Sequence, residues 1–276
     1  MTVNLKAKTL FITGASRGIG REIALRAAAD GANVVIAAKT SDPHKKLPGT
    51  IHTVAAEVEA AGGQALAIQL DVRDETAVVA AMKQAAERFG GLDIVVNNAG
   101  AISLTPAAAT PMRRFDLMMS INARAVLATA TAALPYLRKA ANAHILSLSP
   151  PINLASQWLK PFIPYTVTKY AMTMMSLGLA EEFRAAGIAV NTLWPRTTIA
   201  TAAIEFEVGA ALMQKSRTPA IMADAAYEVF ISSSRELTGQ NLIDEDLLRT
   251  RGVTDFDVYK VDHNCKDLMP DLYVEA

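Results

Sequence analysis

The chain has little of several features that would mark a special class of protein. Its 276 residues include one cysteine, Cys265, which excludes an internal disulfide and suits a reducing compartment. Basic and acidic residues number 27 each, so no excess charge indicates a nucleic acid or an anionic membrane surface as a partner. The longest apolar stretches are broken by Arg124, Pro135 or Lys169, and none reaches the ~18 uninterrupted residues of a spanning helix. We therefore expect a cytoplasmic protein with no transmembrane segment and no nucleic-acid partner.

The chain does contain enough apolar material for one large core, since 51% of its residues are hydrophobic. No period of 20 to 50 residues repeats, and no tract of proline, glycine or serine resembles a linker. We predict one domain over residues 1–246 and a more charged C-terminal extension over 247–276, packed on the domain or on a partner subunit. His263 and Cys265 in that extension fall short of a metal site, because two candidate ligands are too few.

Short runs of β-branched residues alternate with longer segments of helical period, which is typical of a parallel sheet covered by helices on both faces. The expected fold class is therefore α/β, with one doubly wound parallel sheet in three layers. The predicted strands are Thr9–Thr13, Asn33–Lys39, Ala65–Asp71, Asp93–Asn97, His144–Leu148, Ala189–Leu193 and Gln240–Ile243. The predicted helices are Gly18–Asp30, Thr53–Ala61, Glu75–Phe89, Met112–Leu137, Tyr165–Ala186 and Ala223–Ser232.

A glycine-rich turn, T-G-A-S-R-G-I-G, follows the first predicted strand and opens the first predicted helix. In that context backbone N–H groups and a helix N-terminus can approach a pyrophosphate, although a tight turn in an unrelated α/β protein is the alternative. The turn predicts a nucleotide site formed by Gly14, Ala15, Ser16, Arg17, Gly18, Ile19 and Gly20.

Two further strand ends belong to the same predicted crevice, because ligands of such sheets bind at the carboxyl ends of the strands. Asp71, followed by Val72, ends the third strand and is placed to hydrogen-bond an adenine ring, or else to cap the next helix. Asn98, Ala99 and Gly100 follow the fourth strand, where an amide can tie neighbouring strands and two small residues can admit the cofactor.

The end of the second strand bears on the choice of cofactor. Lys39 stands there without a carboxylate, and Arg17 lies in the glycine turn, so two cations favour the 2′-phosphate of NADP(H). Asp42 is near enough to bind the ribose hydroxyls of NAD(H), which therefore stays an alternative cofactor. His44, Lys45 and Lys46 add positive potential or belong to a solvated loop.

Tyr165 and Lys169 form a Y-x-x-x-K pair about 150 residues after the glycine turn. Residues four apart share one face of a helix, so the phenol and the ammonium can meet. An isolated tyrosine titrates near ~10, and an adjacent cation favours its phenolate. The pair is therefore a candidate for proton transfer, although the same spacing also occurs by chance on solvated helices.

The glycine turn, Asp71, the N-N-A-G segment, Asn122 and the Y-x-x-x-K pair, in this order and spacing, resemble the short-chain dehydrogenase/reductase family over the whole chain. The resemblance implies a Rossmann-type fold, an NAD(P)(H)-dependent oxidoreductase, and a homodimer or homotetramer. The segments at 37–53, 148–154, 192–197, 223–227 and 238–246 resemble one branch of this family, whose members carry a C-terminal sterol-carrier module. We expect the present chain to hold the dehydrogenase part only.

The resemblance also implies residue roles. Tyr165 is the proton donor or acceptor, and Lys169 lowers its pKa and hydrogen-bonds the nicotinamide ribose. Asn122 holds a water of the proton relay, unless it is a structural kink. Pro195 and Thr197 follow the sixth strand, where Thr197 and Thr198 are candidates to contact the carboxamide.

Two positions depart from the family pattern. The family places a serine after the fifth strand to hydrogen-bond the reacting oxygen. By our count that position is Pro150, which cannot donate a hydrogen bond. Ser149 substitutes for it if the double proline reshapes the loop, or else Tyr165 alone holds the oxygen. The usual Pro-Gly after the sixth strand is Pro195-Arg196.

The loop of residues 151–164 is rich in apolar side chains, among them Trp158 and Phe162, and Trp194 ends the sixth strand. Apolar walls suit a lipid-, terpenoid- or steroid-like alcohol, aldehyde or ketone, although the same residues could form a core or a subunit interface. Met174 and its apolar neighbours on the Tyr165 helix fit packing between subunits or in the core. The two departures leave a second function open, namely a nucleotide-binding redox or lipid sensor with weak or no catalysis.

Overall fold

Seven parallel strands form one sheet in the computed structural model, which describes residues 4–43, 47–202, 204–205 and 209–275. The strand order is β3-β2-β1-β4-β5-β6-β7. The order reverses beside β1, because the chain moves outward to β2 and β3 and then returns to β4 on the other side. The strands are β1 Thr9–Thr13, β2 Asn33–Ala38, β3 Gln64–Gln69, β4 Ile94–Asn97, β5 Ala143–Leu148, β6 Ile188–Trp194 and β7 Asn241–Ile243.

Helices connect the strands and cover both faces of the sheet. Their bounds are α1 Gly18–Ala28, α2 Ile51–Ala60, α3 Glu75–Phe89, α4 Met112–Met118, α5 Ala125–Leu137, α6 Ser156–Leu159, α7 Ile163–Phe183, α8 Ala210–Met213, α9 Ala220–Ile231 and α10 Asp244–Thr250. Gly90 ends α3 and Gly187 follows α7 and its terminal turn, both at a positive φ that favours glycine.

Two apolar cores lie on opposite faces of the sheet because alternate strand residues point to opposite sides. In β1, Leu10 and Ile12 face one core while Phe11 faces the other. The first core is completed by α1, α2, α9 and α10, and the second by α3, α5 and α7. The predicted α/β fold class, with its single doubly wound sheet in three layers, is confirmed.

The predicted helix Met112–Leu137 is continuous but irregular. A π-helical segment, Met119–Arg124, joins α4 to α5. Among the described residues this is one stretch that could cross a membrane by length and composition alone. Its second half packs on the sheet through Val126, Ala130 and Ala133, so its place in the core accounts for its apolar character.

The C-terminal part of the chain continues from the sheet without a structural break at residue 246. Helix α10 runs across that position, and Leu247 and Leu248 are buried in the first core. Sequence periodicity missed α10 because it is only 7 residues long and begins with three acidic residues. The division of the chain at 246 stays a prediction.

Candidate active site

The glycine turn is fixed by Asn98, which follows β4. The Asn98 side-chain amide donates to the carbonyl oxygens of Thr13 at 2.9 Å and Gly14 at 3.0 Å. A Cβ atom at Gly14 would lie 2.8 Å from Ala99 Cα, and one at Gly20 would lie 2.5 Å from Asn98 Nδ2. Glycine is therefore required at both positions by close approach, and the turn and the end of β4 form one rigid edge of the crevice.

Gly18 plays a different role in the turn. It has a φ of +58°, and among the described residues a Cβ atom there would meet only the Thr201 side chain, at 3.4 Å. Gly18 begins α1, where backbone N–H groups favour an anion. This arrangement fits the predicted pyrophosphate site.

Arg17, one of the two cations predicted to favour NADP(H), is engaged by the protein itself. Its guanidinium donates to the carbonyl oxygens of Pro48 at 2.9 Å and Gly49 at 3.1 Å. Burial lowers the pKa of Arg17. The side chain therefore clamps the loop before α2 onto the glycine turn. His44, Lys45 and Lys46 lie outside the described residues.

Lys39 and Asp71 lie together at the ends of β2 and β3. Lys39 Nζ is 3.1 Å from an Asp71 carboxylate oxygen, and its side chain is 62% exposed. The Asp71 carboxylate also accepts hydrogen bonds from the Arg73 guanidinium, which holds the Asp71 pKa well below its usual range. An incoming 2′-phosphate would compete with Asp71 for Lys39. Val72, beside Asp71, is buried.

Tyr165 and Lys169 lie on one face of α7, as their spacing predicts. Tyr165 is buried in an apolar cluster that also contains Met118 and Trp194. Lys169 is buried as well, and its ammonium donates to Leu148 O at 2.5 Å and lies 4.9 Å from the centre of the Trp194 ring. Burial lowers the pKa of Lys169 to about 7, while the negative charge of Asp271 raises it.

Asn122 lies in the π-helical segment and is nearly inaccessible to solvent. Its side-chain oxygen accepts from Ala101 N at 2.8 Å, and its amide donates to Ala101 O at 2.9 Å and Thr168 Oγ1 at 3.0 Å. Thr168 lies one turn after Tyr165 on α7. Asn122 therefore ties the segment after β4 to α7, the helix that carries Tyr165 and Lys169. Such π-helical turns are frequent at functional sites.

The hydroxyl of Ser149 does not face the crevice. It donates to Lys169 O at 2.7 Å, lies 2.7 Å from Thr173 Oγ1, and is fully buried. Thr173 in turn donates to Pro150 O at 2.6 Å. These bonds hold the double proline against α7, so we leave Ser149 out of the proposed catalytic set.

The loop after β6 forms the opposite wall. Pro195 begins it, and the Thr197 hydroxyl is buried without a hydrogen-bond partner among the described residues. Arg196 instead points to Asp246, with its guanidinium 2.5 Å from that carboxylate. A buried hydroxyl without a partner is costly, so Thr197 is suited to a bound polar group such as a carboxamide.

Sequence reasoning missed the protein partners of several predicted site residues. The D-x-R spacing of Asp71 and Arg73 could have indicated their ion pair. No local pattern connects Asn122 with Thr168, since the two are 46 positions apart. The clamp between Arg17 and the loop before α2 is equally long-range.

Comparisons with known proteins agree with this geometry. The family model described as short chain dehydrogenase matches residues 8–207. Hydroxysteroid dehydrogenase-like protein 2 of Danio rerio is 54% identical over 275 residues, which are 100% of this chain and 66% of that relative. The chain thus spans slightly less than two thirds of that relative's length. The narrower resemblance predicted from the five short segments was to this protein, and it is confirmed.

Solved structures are also similar. A short chain dehydrogenase of Mycobacterium thermoresistibile has a TM-score of 0.94 and 51% identity, covering 99% of this chain and 97% of that one. A 7 alpha-hydroxysteroid dehydrogenase complexed with NADH and 7-oxo glycochenodeoxycholic acid has a TM-score of 0.77 and 26% identity, covering 88% of this chain and 95% of that one.

The position of Asn122 predicts a large stability cost for its removal. Asn122→Ala leaves the N–H and C=O of Ala101 without their partner, and we expect the free energy of unfolding to fall by about 2–4 kcal/mol. Ser120→Ala is the matched control, because Ser120 lies in the same π-helical segment and, within the part of the chain that the structure describes, its hydroxyl bonds only Asp116 O one turn earlier. We expect that control to change stability by less than about 1 kcal/mol. Urea denaturation measures both, and equal losses would contradict the tie between Asn122 and the segment after β4.

Proposed function

The chain belongs to the short-chain dehydrogenase family, and from that premise we propose a specific oxidoreductase reaction. The family assigns an enzyme that binds NAD(P)(H) and acts on a small molecule. We propose that it uses NADP(H) to interconvert a hydrophobic alcohol and the corresponding aldehyde or ketone, with Tyr165 as the acid or base. The single observation that carries the proposal is the burial of Tyr165 and Lys169 together on α7, beside the carboxyl ends of β5 and β6.

The bound nicotinamide supplies or accepts the hydride. In reduction the Tyr165 hydroxyl donates a proton to the carbonyl oxygen, and in oxidation its phenolate accepts the proton of the alcohol. Lys169 supplies the positive charge that favours the phenolate. Its bond to Leu148 O shows that the ammonium reaches the end of β5, and we propose that it exchanges this bond for one to the nicotinamide ribose. Thr197 is proposed to hold the carboxamide.

The proposed substrate class rests on the side chains that pack against the Tyr165 cluster. They include Ile102 and Leu104 after β4, and Trp158 and Phe162 between β5 and α7. Such walls favour an apolar substrate and offer few partners to a sugar. The names of two similar proteins, a hydroxysteroid dehydrogenase-like protein and a hydroxysteroid dehydrogenase, support a steroid- or lipid-like alcohol.

The proposed preference for NADP(H) rests on Lys39. Its ammonium is largely exposed at the end of β2, where it can pair with a 2′-phosphate at the expense of Asp71. Arg17 contributes less than predicted from sequence, since its guanidinium is bonded to Pro48 and Gly49. NAD(H) remains the competing cofactor, and NADH is bound in the similar 7 alpha-hydroxysteroid dehydrogenase.

One observation favours a second candidate function. Proline occupies the position of the usual serine, and the Ser149 hydroxyl is turned into the core. Without a second donor, Tyr165 alone would hold the reacting oxygen, and catalysis would be correspondingly slow. A nucleotide-binding redox or lipid sensor with weak turnover is therefore the alternative.

We also propose that the chain forms a homodimer or homotetramer. Val167 and Met174 on α7, together with Leu127 on α5, are large apolar side chains with 42%, 64% and 45% of their surface exposed. Their exposure on two neighbouring helices supports helix packing between subunits. Met172 on α7 is instead part of the second core.

The proposed acid or base predicts the effect of removing one oxygen atom. Tyr165→Phe should lower kcat/KM at least about 100-fold across a panel of hydrophobic alcohols and aldehydes, because no proton can be transferred at that position. NADPH affinity should stay within about threefold. Tyr136→Phe removes a phenol oxygen from α5, away from the Tyr165 cluster, and should leave both quantities unchanged. If wild type and Tyr165→Phe have the same kcat/KM on every substrate, the sensor function is favoured over the enzyme function.

The proposed cofactor preference predicts a selective loss. Lys39→Asp should weaken NADPH binding at least about tenfold and NADH binding less than threefold, because only NADPH carries the 2′-phosphate. Lys139→Asp, at an exposed position just after α5, changes the net charge equally and should affect neither cofactor. Titration calorimetry measures all four affinities. Equal weakening of both cofactors in Lys39→Asp would remove the argument for the phosphate.

A further inference from the structure

The C-terminal segment, residues 269–275, lies along the loop that follows β6. Met269 O accepts from Thr198 N at 2.9 Å, and Asp271 N donates to Arg196 O at 3.0 Å. An antiparallel bridge joins Thr197 and Pro270 between these two bonds. The segment is therefore hydrogen-bonded to the loop proposed to hold the carboxamide.

Tyr273 anchors the C-terminal segment against α7. It is almost fully buried, and its hydroxyl lies 3.1 Å from Thr166 Oγ1 on α7. Its ring centre lies 5.2 Å from that of Tyr170, 5.8 Å from that of Trp158 and 6.2 Å from that of Trp194. Aromatic side chains from α6, α7 and β6 therefore surround Tyr273.

The backbone of Tyr273 is strained, with a φ of +70°. A bulky residue in this region is uncommon, and the conformation is energetically unfavourable. Such a conformation persists only where the surroundings hold it in place, and it concentrates at functional sites. The ring contacts and the hydroxyl contact with Thr166 provide that hold.

The segment contacts neighbours of both members of the Tyr165/Lys169 pair. Thr166 directly follows Tyr165 in α7, and Trp194 presents its ring to Lys169 Nζ at 4.9 Å. The indole N–H of Trp194 donates to Leu272 O at 2.8 Å, so the segment also fixes the orientation of that ring. Displacing residues 269–275 would free the Trp194 ring that lies over Lys169 and would remove the contact with Thr166, the residue after Tyr165.

Asp271 adds a charge to these contacts. Its carboxylate is buried, as is the ammonium of Lys169, and the two attract each other. Burial raises the pKa of the Asp271 carboxyl to about 7, and the charge of Asp244 raises it further, while the charge of Lys169 lowers it. The C-terminal segment thus adds a titratable group whose charge acts on Lys169.

We propose that residues 269–275 are part of the active site and that Tyr273 is a positioning residue, which holds Trp194 against Lys169 and α7 beside the reacting oxygen. This inference deepens the proposed oxidoreductase function and rests on it. A purely structural tail would contribute stability but would not affect the environment of Lys169.

The kinetic test compares Tyr273→Leu with Tyr259→Leu. Tyr259 is a matched control, because it lies in the same C-terminal region, is similarly buried, and bonds Asp224 on α9 away from the Tyr165 cluster. We expect Tyr273→Leu to lower kcat at least tenfold and to weaken NADPH binding by a smaller factor than kcat, since the glycine turn and Lys39 are untouched. Tyr259→Leu should keep kcat within twofold per folded molecule. Tyr273→Phe retains the ring and should recover most of kcat. Equal kcat in both leucine variants would overturn the inference.

A second measurement does not depend on turnover. Lysines are acetylated with acetic anhydride at a fixed pH and quantified one by one by mass spectrometry. The labelling of Lys169 reports how accessible its amine is and what fraction of it is unprotonated. We expect labelling of Lys169 to rise at least fivefold in Tyr273→Leu, because the amine becomes accessible, while the exposed Lys139 serves as the internal standard. The Tyr259→Leu control should match wild type.

The two measurements separate the two possible failures. If wild type shows no turnover on any substrate, the proposed function fails, and the labelling of Lys169 still decides the role of Tyr273. If Tyr165→Phe is inactive but Tyr273→Leu matches wild type in both kcat and Lys169 labelling, only the inference about the C-terminal segment fails. If Tyr273→Leu does not fold, Tyr273→Met takes its place, and unchanged kcat and Lys169 labelling in that variant overturn the inference.

Discussion

The burial of the Lys169 ammonium is the constraint on which the rest of the site depends. A charge removed from water is costly unless other groups replace its hydration. In this protein Leu148 O, the face of the Trp194 ring and the charge of Asp271 perform that task. Each belongs to a different part of the chain, so the ends of β5 and β6, helix α7 and the C-terminal segment are all fixed by the same group. The proposed proton transfer by Tyr165 uses a charge that the fold already has to stabilise.

The sheet explains why these parts meet. Its order reverses beside β1, so the connections after β1 and β4 leave on opposite faces and open a crevice at the carboxyl ends of the strands. Asn98 bonds the two strand ends together, and the glycines allow the contact. The proposed dinucleotide site and the Tyr165/Lys169 pair thus lie along one edge of the sheet, which is the arrangement that hydride transfer next to an acid or base requires.

Much of this was predictable from the sequence, because strand burial and the spacing of glycines, Tyr165 and Lys169 are local patterns. All seven predicted strands are present with ends shifted by no more than two residues, and α3 has the predicted bounds. The π-helical segment at Asn122 escaped prediction, and the bond from Asn122 to Thr168 on α7 is long-range and leaves no local pattern. Ser149 faces the core for a similar reason, since Lys169 O and Thr173 satisfy its hydroxyl. The C-terminal contacts of Tyr273 join residues about 80 to 115 positions apart, and no periodicity encodes them.

The most direct test of the account is a crystal structure of the protein with NADP(H). We expect the nicotinamide ring to lie between Tyr165 and Thr197, with Lys169 Nζ moved from Leu148 O to the ribose and the 2′-phosphate beside Lys39. A dinucleotide bound with its nicotinamide outside this crevice, or a Tyr165 hydroxyl that points away from the bound ring, would contradict the central claim that the buried pair on α7 performs the chemistry.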